Sequence, residues 1–119
     1  MRGELQARAQ RALDLQTRHF QMTRGISPIS GSWLRAVRKA LRMRAADMAA
    51  DLKVSPSMVF QLERSEIKET ITLERLKAAA DAMECMLVYC VIPKQGKFED
   101  QLMEYVKIAV YGRRRTRQR

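Results

Sequence analysis

Few residues of this chain could carry out covalent chemistry. It has one histidine, His19, and two cysteines, Cys85 and Cys90. No nucleophile–histidine–acid trio is evident, since His19 falls in a region that reads as poorly ordered, and a single histidine leaves no plausible zinc set. Glycine-rich phosphate loops are also absent from the sequence. The expectation is therefore a non-enzymatic protein with no catalytic residue, metal or cofactor. What the chain holds in abundance is positive charge: 23 Lys and Arg stand against 13 Asp and Glu, a net charge of +10 over 119 residues. A surplus of that size favours a polyanionic partner, either nucleic acid or an acidic membrane face. Five of the arginines, Arg113, Arg114, Arg115, Arg117 and Arg119, close the chain as a tail expected to be disordered when free.

The elements that would position this charge are mostly helical. Leu5, Ala9, Ala12, Leu13 and Leu15 form a thin apolar stripe on a helix from Gly3 to about Gln21, marginal alone or completed by another surface. Thr23 to Ser32 reads as a linker, rich in Gly and Ser with one Pro. Trp33, Leu34, Val37 and Leu41 keep helical spacing behind Ser32, a suitable N-cap. A short helix follows from about Ala45 to Leu52, with Met48, Ala49 and Leu52 inward. The next spans Ser55 to Arg64, with Pro56 at its first position and Val59 and Leu62 inward. A fourth starts near Thr72 and turns Leu73, Leu76, Ala79, Ala80 and Met83 to the core. At Cys85 the period changes, and CMLVYCVIP reads as a buried strand ended by proline. Phe98 to about Tyr111 is helical again, with Leu102, Tyr105, Val106 and Ala109 in register. The expected division is a helical extension at 1–25, a helical domain at 26–84, a strand and helix at 85–112, and the basic tail at 113–119.

On such a strand Cys85 and Cys90 point to opposite faces, so a bridge between them is not expected. Both read as apolar fillers in a reducing cytoplasm. No apolar run approaches the roughly 18 residues of a membrane span, and an Arg-interrupted N-terminus lacks a signal-peptide core. A cytoplasmic protein without membrane contact is expected.

Residues 45–64, AADMAADLKVSPSMVFQLER, place two helices around a three- or four-residue turn, the arrangement that enters the major groove of DNA. The pattern of Met48, Ala49, Leu52, Val54, Ser55, Val59, Leu62, Glu63 and Arg64 resembles the phage-repressor and Cro-like (XRE-type) helix-turn-helix group. Ala49 is small where the helices cross, Val54 would plug the corner, and Val59 and Leu62 anchor the recognition helix. Lys53 stands where the group usually has glycine, at a cost of roughly 1 kcal/mol for a left-handed backbone. The fold this implies is mainly α: a phage-repressor-like bundle with an N-terminal helical extension and a C-terminal strand plus helix.

The same resemblance implies double-stranded DNA as partner and assigns roles. Base contacts would come from Pro56, Ser57, Phe60 and Gln61. Gln61 suits a paired bond to adenine, Ser57 suits several bases, and Phe60 or Pro56 could pack a thymine methyl. Phe60 could equally be partly buried, and Gln61 part of a solvated face. Phosphate contacts would come from Arg44, the amide of Ala45, Lys53, Ser55 and Arg64. Arg38 and Glu63 match a structural salt bridge between the first and third helices of the domain.

The strings SWLRAVRKALRM, ADMAADLKVSPSMVFQLERSE and TITLERLKAAADAMECMLVYCVIP resemble one family in particular, named mobile mystery protein A. The likeness runs from about Leu5 to Met103. Genes of that family usually neighbour one for a Fic-domain protein, which implies an antitoxin that represses a shared operon. Fic inhibitory helices carry Ser or Thr, three residues, Glu, then Gly or Asn. Ser65 with Glu69, and Thr70 with Glu74, fail the last position and read as chance matches. Alternative functions are direct neutralisation of a Fic partner, through the N- or C-terminal helix, and nonspecific nucleoid binding.

A lone strand over Met86, Leu87, Val88, Tyr89, Cys90, Val91 and Ile92 would have no partner within this chain, and unpaired buried backbone is costly. The simplest remedy is the same strand of a second copy, making a homodimer with two recognition helices one DNA turn apart. The edge strand of another protein is the alternative.

Overall fold

The first turn of a helix leaves backbone N–H groups without partners, and in this chain hydroxyls and carboxylates supply them. In the computed structural model, which describes residues 2–25 and 29–112, six helices form: α1 (Arg2–Gln21), α2 (Trp33–Ala40), α3 (Ala45–Leu52), α4 (Pro56–Ile67), α5 (Leu73–Ala82) and α6 (Phe98–Tyr111). The arginine tail and the middle of the expected linker lie outside the described residues. The chain divides into two units, one of residues 27–88 and one made of residues 1–26 with 89–119.

The first unit holds α2 to α5. Ser32 caps α2 by accepting from the Arg35 amide, and Thr72 caps α5 by accepting from the Arg75 amide. Asp47 reaches back to accept from the Arg44 amide at the start of α3 (3.1 Å). Ser55 occupies the N-cap of α4 without a side-chain bond to the backbone amides of the helix, and Pro56 takes the first position, where no N–H is needed. Met48 and Val59 are fully buried and sit in a core with Leu34, Ala45, Ala49, Leu62, Ala79 and Met83. Ala49 is buried in this core, and α3 packs on both α4 and α5.

Each of these four helices ends the same way. Arg42, Lys53, Glu69 and Glu84 have φ between 55° and 58°, the left-handed region that favours glycine. The next amide then bonds back to a carbonyl five residues earlier: Met43 to Arg38, Val54 to Ala49, Thr70 to Ser65, Cys85 to Ala80, all between 2.9 and 3.0 Å. This closes the last turn and satisfies carbonyls that the helix leaves open. None of the four positions is glycine, so each carries roughly 1 kcal/mol of backbone strain.

The second unit pairs α1 with α6. Asp14 accepts from the amides of Phe98 (2.7 Å) and Glu99 (3.1 Å), capping α6 from a different helix. Gln10 and Gln21 also donate to the Asp14 carboxylate. Arg24 donates to the Pro93 carbonyl (2.7 Å), tying the end of α1 to the segment before α6.

Several expectations are corrected by the structure. Met86 to Ile92 has no regular secondary structure, and there is no strand among the described residues. A strand is defined by a ladder, and no second run within the chain offers one. Cys90 is exposed and Cys85 only half-buried, so neither is a fully buried filler. Trp33, Leu41, Val54 and Leu73 keep helical or corner positions yet remain exposed, because the narrow core of the four short helices closes without them. Tyr105, Val106 and Ala109 also face outward on α6, as do Leu5, Leu13 and Leu15 on α1. The recognition helix runs to Ile67, three residues beyond its expected end at Arg64.

Two outcomes follow from these caps. Lys53→Gly and Glu84→Gly should each raise stability by about 0.5–1 kcal/mol, the relief of left-handed strain less the entropy of the more flexible unfolded chain; urea unfolding of each variant checks this. Burial pushes the Asp14 carboxyl up, but the Phe98 amide, Gln10, Gln21 and the Glu99 amide together hold it below the ordinary aspartate value. A depressed folded-state value means that the stabilisation is present above the unfolded value and is lost as pH falls through the folded one. Amide protection at Phe98 and Glu99 should therefore decay on acidification through that range, and Asp14→Asn should remove the pH-dependent part.

Candidate nucleic-acid interface

Three residues, Lys53 to Ser55, separate the end of α3 from the start of α4. With φ 57° and ψ 44°, Lys53 makes the reversal and leaves its side chain exposed. The two helices are each other's main packing partners in the unit. Val59, Leu62 and Glu63 turn inward from α4. The opposite face therefore shows Pro56, Ser57, Phe60, Gln61 and Arg64, all exposed. Positions 56, 60 and 64 follow one another at single-turn spacing, with 57 and 61 alongside, so five side chains share one accessible strip.

The strip is held by a buried ion pair. Arg38 on α2 donates from Nε to Glu63 Oε2 (2.8 Å) and from Nη2 to Glu63 Oε1 (3.1 Å). Its remaining nitrogen, Nη1, donates to the Met43 carbonyl (3.3 Å). Hydrogen bonding to Glu63 raises the Arg38 pKa further, against the opposing effect of burial. The same guanidinium lies over the Phe60 ring, 5.6 Å from its centre. Phe60 is thus half-committed to α2, and what it offers outward is the rest of a ring that remains 45% exposed.

The expected phosphate-facing residues are differently placed from one another. Arg64, Lys53 and Ser55 are exposed. The Ser55 hydroxyl lies 3.0 Å from that of Ser57, so these two share a hydrogen bond in the free protein. Arg44 is exposed but paired with Asp47, Nη2 to Oδ1 at 3.0 Å. Its charge would have to be shared with Asp47 or released for a phosphate. Ala45 is buried, and its amide opens α3.

One residue that matters here was missed by sequence reasoning. Glu66 accepts from the Ser32 hydroxyl (2.7 Å) and from the amides of Trp33 (2.8 Å) and Leu34 (3.0 Å). It joins the last turn of α4 to the first turn of α2, where a carboxylate also complements the helix dipole. The signal available was a Ser–Trp–Leu helix start facing an acidic residue, but nothing in the spacing of 32 and 66 indicates that they meet.

Residues 34–89 match the family model described as Helix-turn-helix. The segment is similar to helix-turn-helix domains. The match supports a DNA-binding regulator of the XRE type, a class of domain that is typically non-enzymatic. It covers a little under half of the chain and leaves α1 and α6 unassigned. No curated protein and no solved structure matches the chain. Among the described residues, no helix is long and apolar enough to cross a membrane.

The charge of the chain is unevenly spread around the helix-turn-helix domain. Residues 27–88 hold ten Lys and Arg against eight Asp and Glu, so this unit accounts for only two of the ten net positive charges. The remainder lies in the flanking sequences, above all the arginines that end the chain.

Breaking the buried pair should be costly, whereas removing it entirely should not. Glu63→Gln is expected to destabilise by about 3–5 kcal/mol, since it leaves Arg38 buried and uncompensated. The double change Arg38→Met with Glu63→Leu should recover most of that loss, with some repacking of Phe60. Chemical denaturation of the single and double variants measures both; an equal loss in the two would overturn this reading.

Proposed function

We propose that the protein is a sequence-specific DNA-binding repressor that acts on the operon containing its own gene. The observation that carries this reading is the accessible strip of α4. Its outer side chains are polar or flat, and its position is held by Arg38–Glu63 and Glu66. A recognition helix needs that rigidity, because misplaced donors lose their pairing with base edges. Gln61 is assigned the paired bond to adenine, Ser57 a hydroxyl contact, and Pro56 and Phe60 apolar contact. Lys53, Ser55, Arg64, Arg44 and the Ala45 amide are assigned to phosphates. Because Pro56 and Phe60 offer no hydrogen bonds, DNA shape contributes to specificity alongside Ser57 and Gln61.

The reading includes a homodimer. Met86 to Ile92 supports it: Met86 and Val91 are 82% and 80% exposed, and no hydrogen bond ties the backbone of this segment among the described residues. A groove of about 300 Å³ walled by Trp33, Val37, Leu76 and Met83 adjoins Met86 and Val88. A second copy of the 86–92 segment would pair its backbone and cover this apolar surface. An antitoxin role beside a Fic-domain partner is supported by the family resemblance of the sequence.

Footprinting on DNA upstream of the gene tests the repressor. Protection of two half-sites is expected at near-physiological salt, and its absence would overturn autorepression. Gln61→Ala with Ser57→Ala should weaken operator binding by about 1–3 kcal/mol for the paired contact, while affinity for unrelated duplex stays unchanged. An equal loss on both would instead point to nonspecific binding.

A further inference from the structure

The pair of α1 and α6 shelters Phe20, Phe98, Leu102 and Ile108 in part and leaves many of its other apolar side chains open. On α1 the sheltered residues are Ala7, Gln10, Asp14, Thr17, Phe20 and Gln21. Leu5, Ala9, Ala12 and Leu13 run along the other side, with Leu5 65% exposed. On α6, Met103, Val106 and Val110 follow helical spacing on an open face, and Tyr105, on another side of the helix, is 70% exposed. A helix of a soluble unit ordinarily buries its apolar stripe, and apolar patches left open on two adjacent helices mark an interaction surface.

Charge indicates the occupant. Helix α1 carries four arginines against one glutamate and one aspartate, and α6 carries three acids against Lys107 alone. Two copies of α1 would repel, as would two copies of α6, but α1 and α6 are complementary. One unit presents both halves of that complement, as a two-fold contact requires.

We propose that a second copy of this chain covers this face, with α1 of each protomer lying along α6 of the other in a four-helix arrangement. The inference rests on the homodimer reading above and adds a helical surface to it. Apolar burial supplies the attraction, and the opposite net charges select α1–α6 over like pairings.

Cysteine cross-linking between full-length chains tests this. Leu13→Cys and Val106→Cys are made in separate, differently tagged copies that also carry Cys85→Ser and Cys90→Ser. After mixing and mild oxidation, a disulfide between the two tags is expected, well above that given by a control pair at Lys77→Cys. In sedimentation, Val106→Glu with Val110→Glu should raise the dimer dissociation constant at least tenfold while circular dichroism retains the helical content. A monomeric wild-type chain, cross-linking no better than the control, or an unchanged dissociation constant would each overturn the proposal. Val88→Lys with Val91→Lys separates the two contacts: dimer loss there but not in the Val106/Val110 variant leaves the 86–92 segment standing and removes the helical surface. Gln61→Ala should leave the dimer mass unchanged, so failure of DNA recognition is read independently.

Discussion

The helix-turn-helix unit depends on the buried contact between Arg38 and Glu63. An ionised pair away from water is tolerated only when both partners are nearly saturated with hydrogen bonds, and here they are. Two parallel bonds reach the carboxylate, a third reaches the Met43 carbonyl, and the face of the guanidinium rests on Phe60. The planar, multidentate geometry is what lysine could not reproduce. The pair fixes the rotation of α4 about its own axis, because turning the helix would withdraw Glu63 from the fork. That rotation decides which of its residues face outward, so a contact buried in the core governs the exposed strip.

Glu66 completes the restraint from the other end of α4. With Glu63 held against α2 and Glu66 held against the start of α2, two carboxylates one turn apart attach one helix to the other. The left-handed helix ends act differently, setting the direction in which the chain leaves each helix. Their strain is tolerated because the five-residue backbone bonds and the shared core oppose its release. The result is a small unit in which α4 is tied to α2 at two points, although Met48 and Val59 are the largest fully buried side chains among the described residues.

The second unit follows the opposite logic. Its principal tie is polar, the Asp14 carboxylate on the first amides of α6, and many of its apolar side chains remain open. Such a pair has little core of its own, so its contribution to the protein is best understood as surface. The uneven charge fits the same division. The helix-turn-helix unit is nearly balanced, while the flanking sequences carry most of the net positive charge.

All six helices and the core positions Leu34, Met48, Ala49, Val59, Leu62 and Ala79 were legible in the sequence, because caps and periodicity are local and act over one or two turns. The resemblance also pointed to Arg38 and Glu63, and to the turn at Lys53. What the sequence alone could not decide were relations between distant positions. Glu66 meets Ser32 only through the packing of α4 on α2, and Asp14 caps α6 from more than eighty residues away. The run from Met86 to Ile92 has strand composition, but composition cannot form a ladder without a second edge, and only the tertiary structure reveals that the described residues provide none. Likewise helical spacing on Trp33, Leu73, Tyr105 and Val106 identifies an apolar face without saying whether anything covers it. Burial is a property of the neighbours, and the fold alone determines which neighbours arrive.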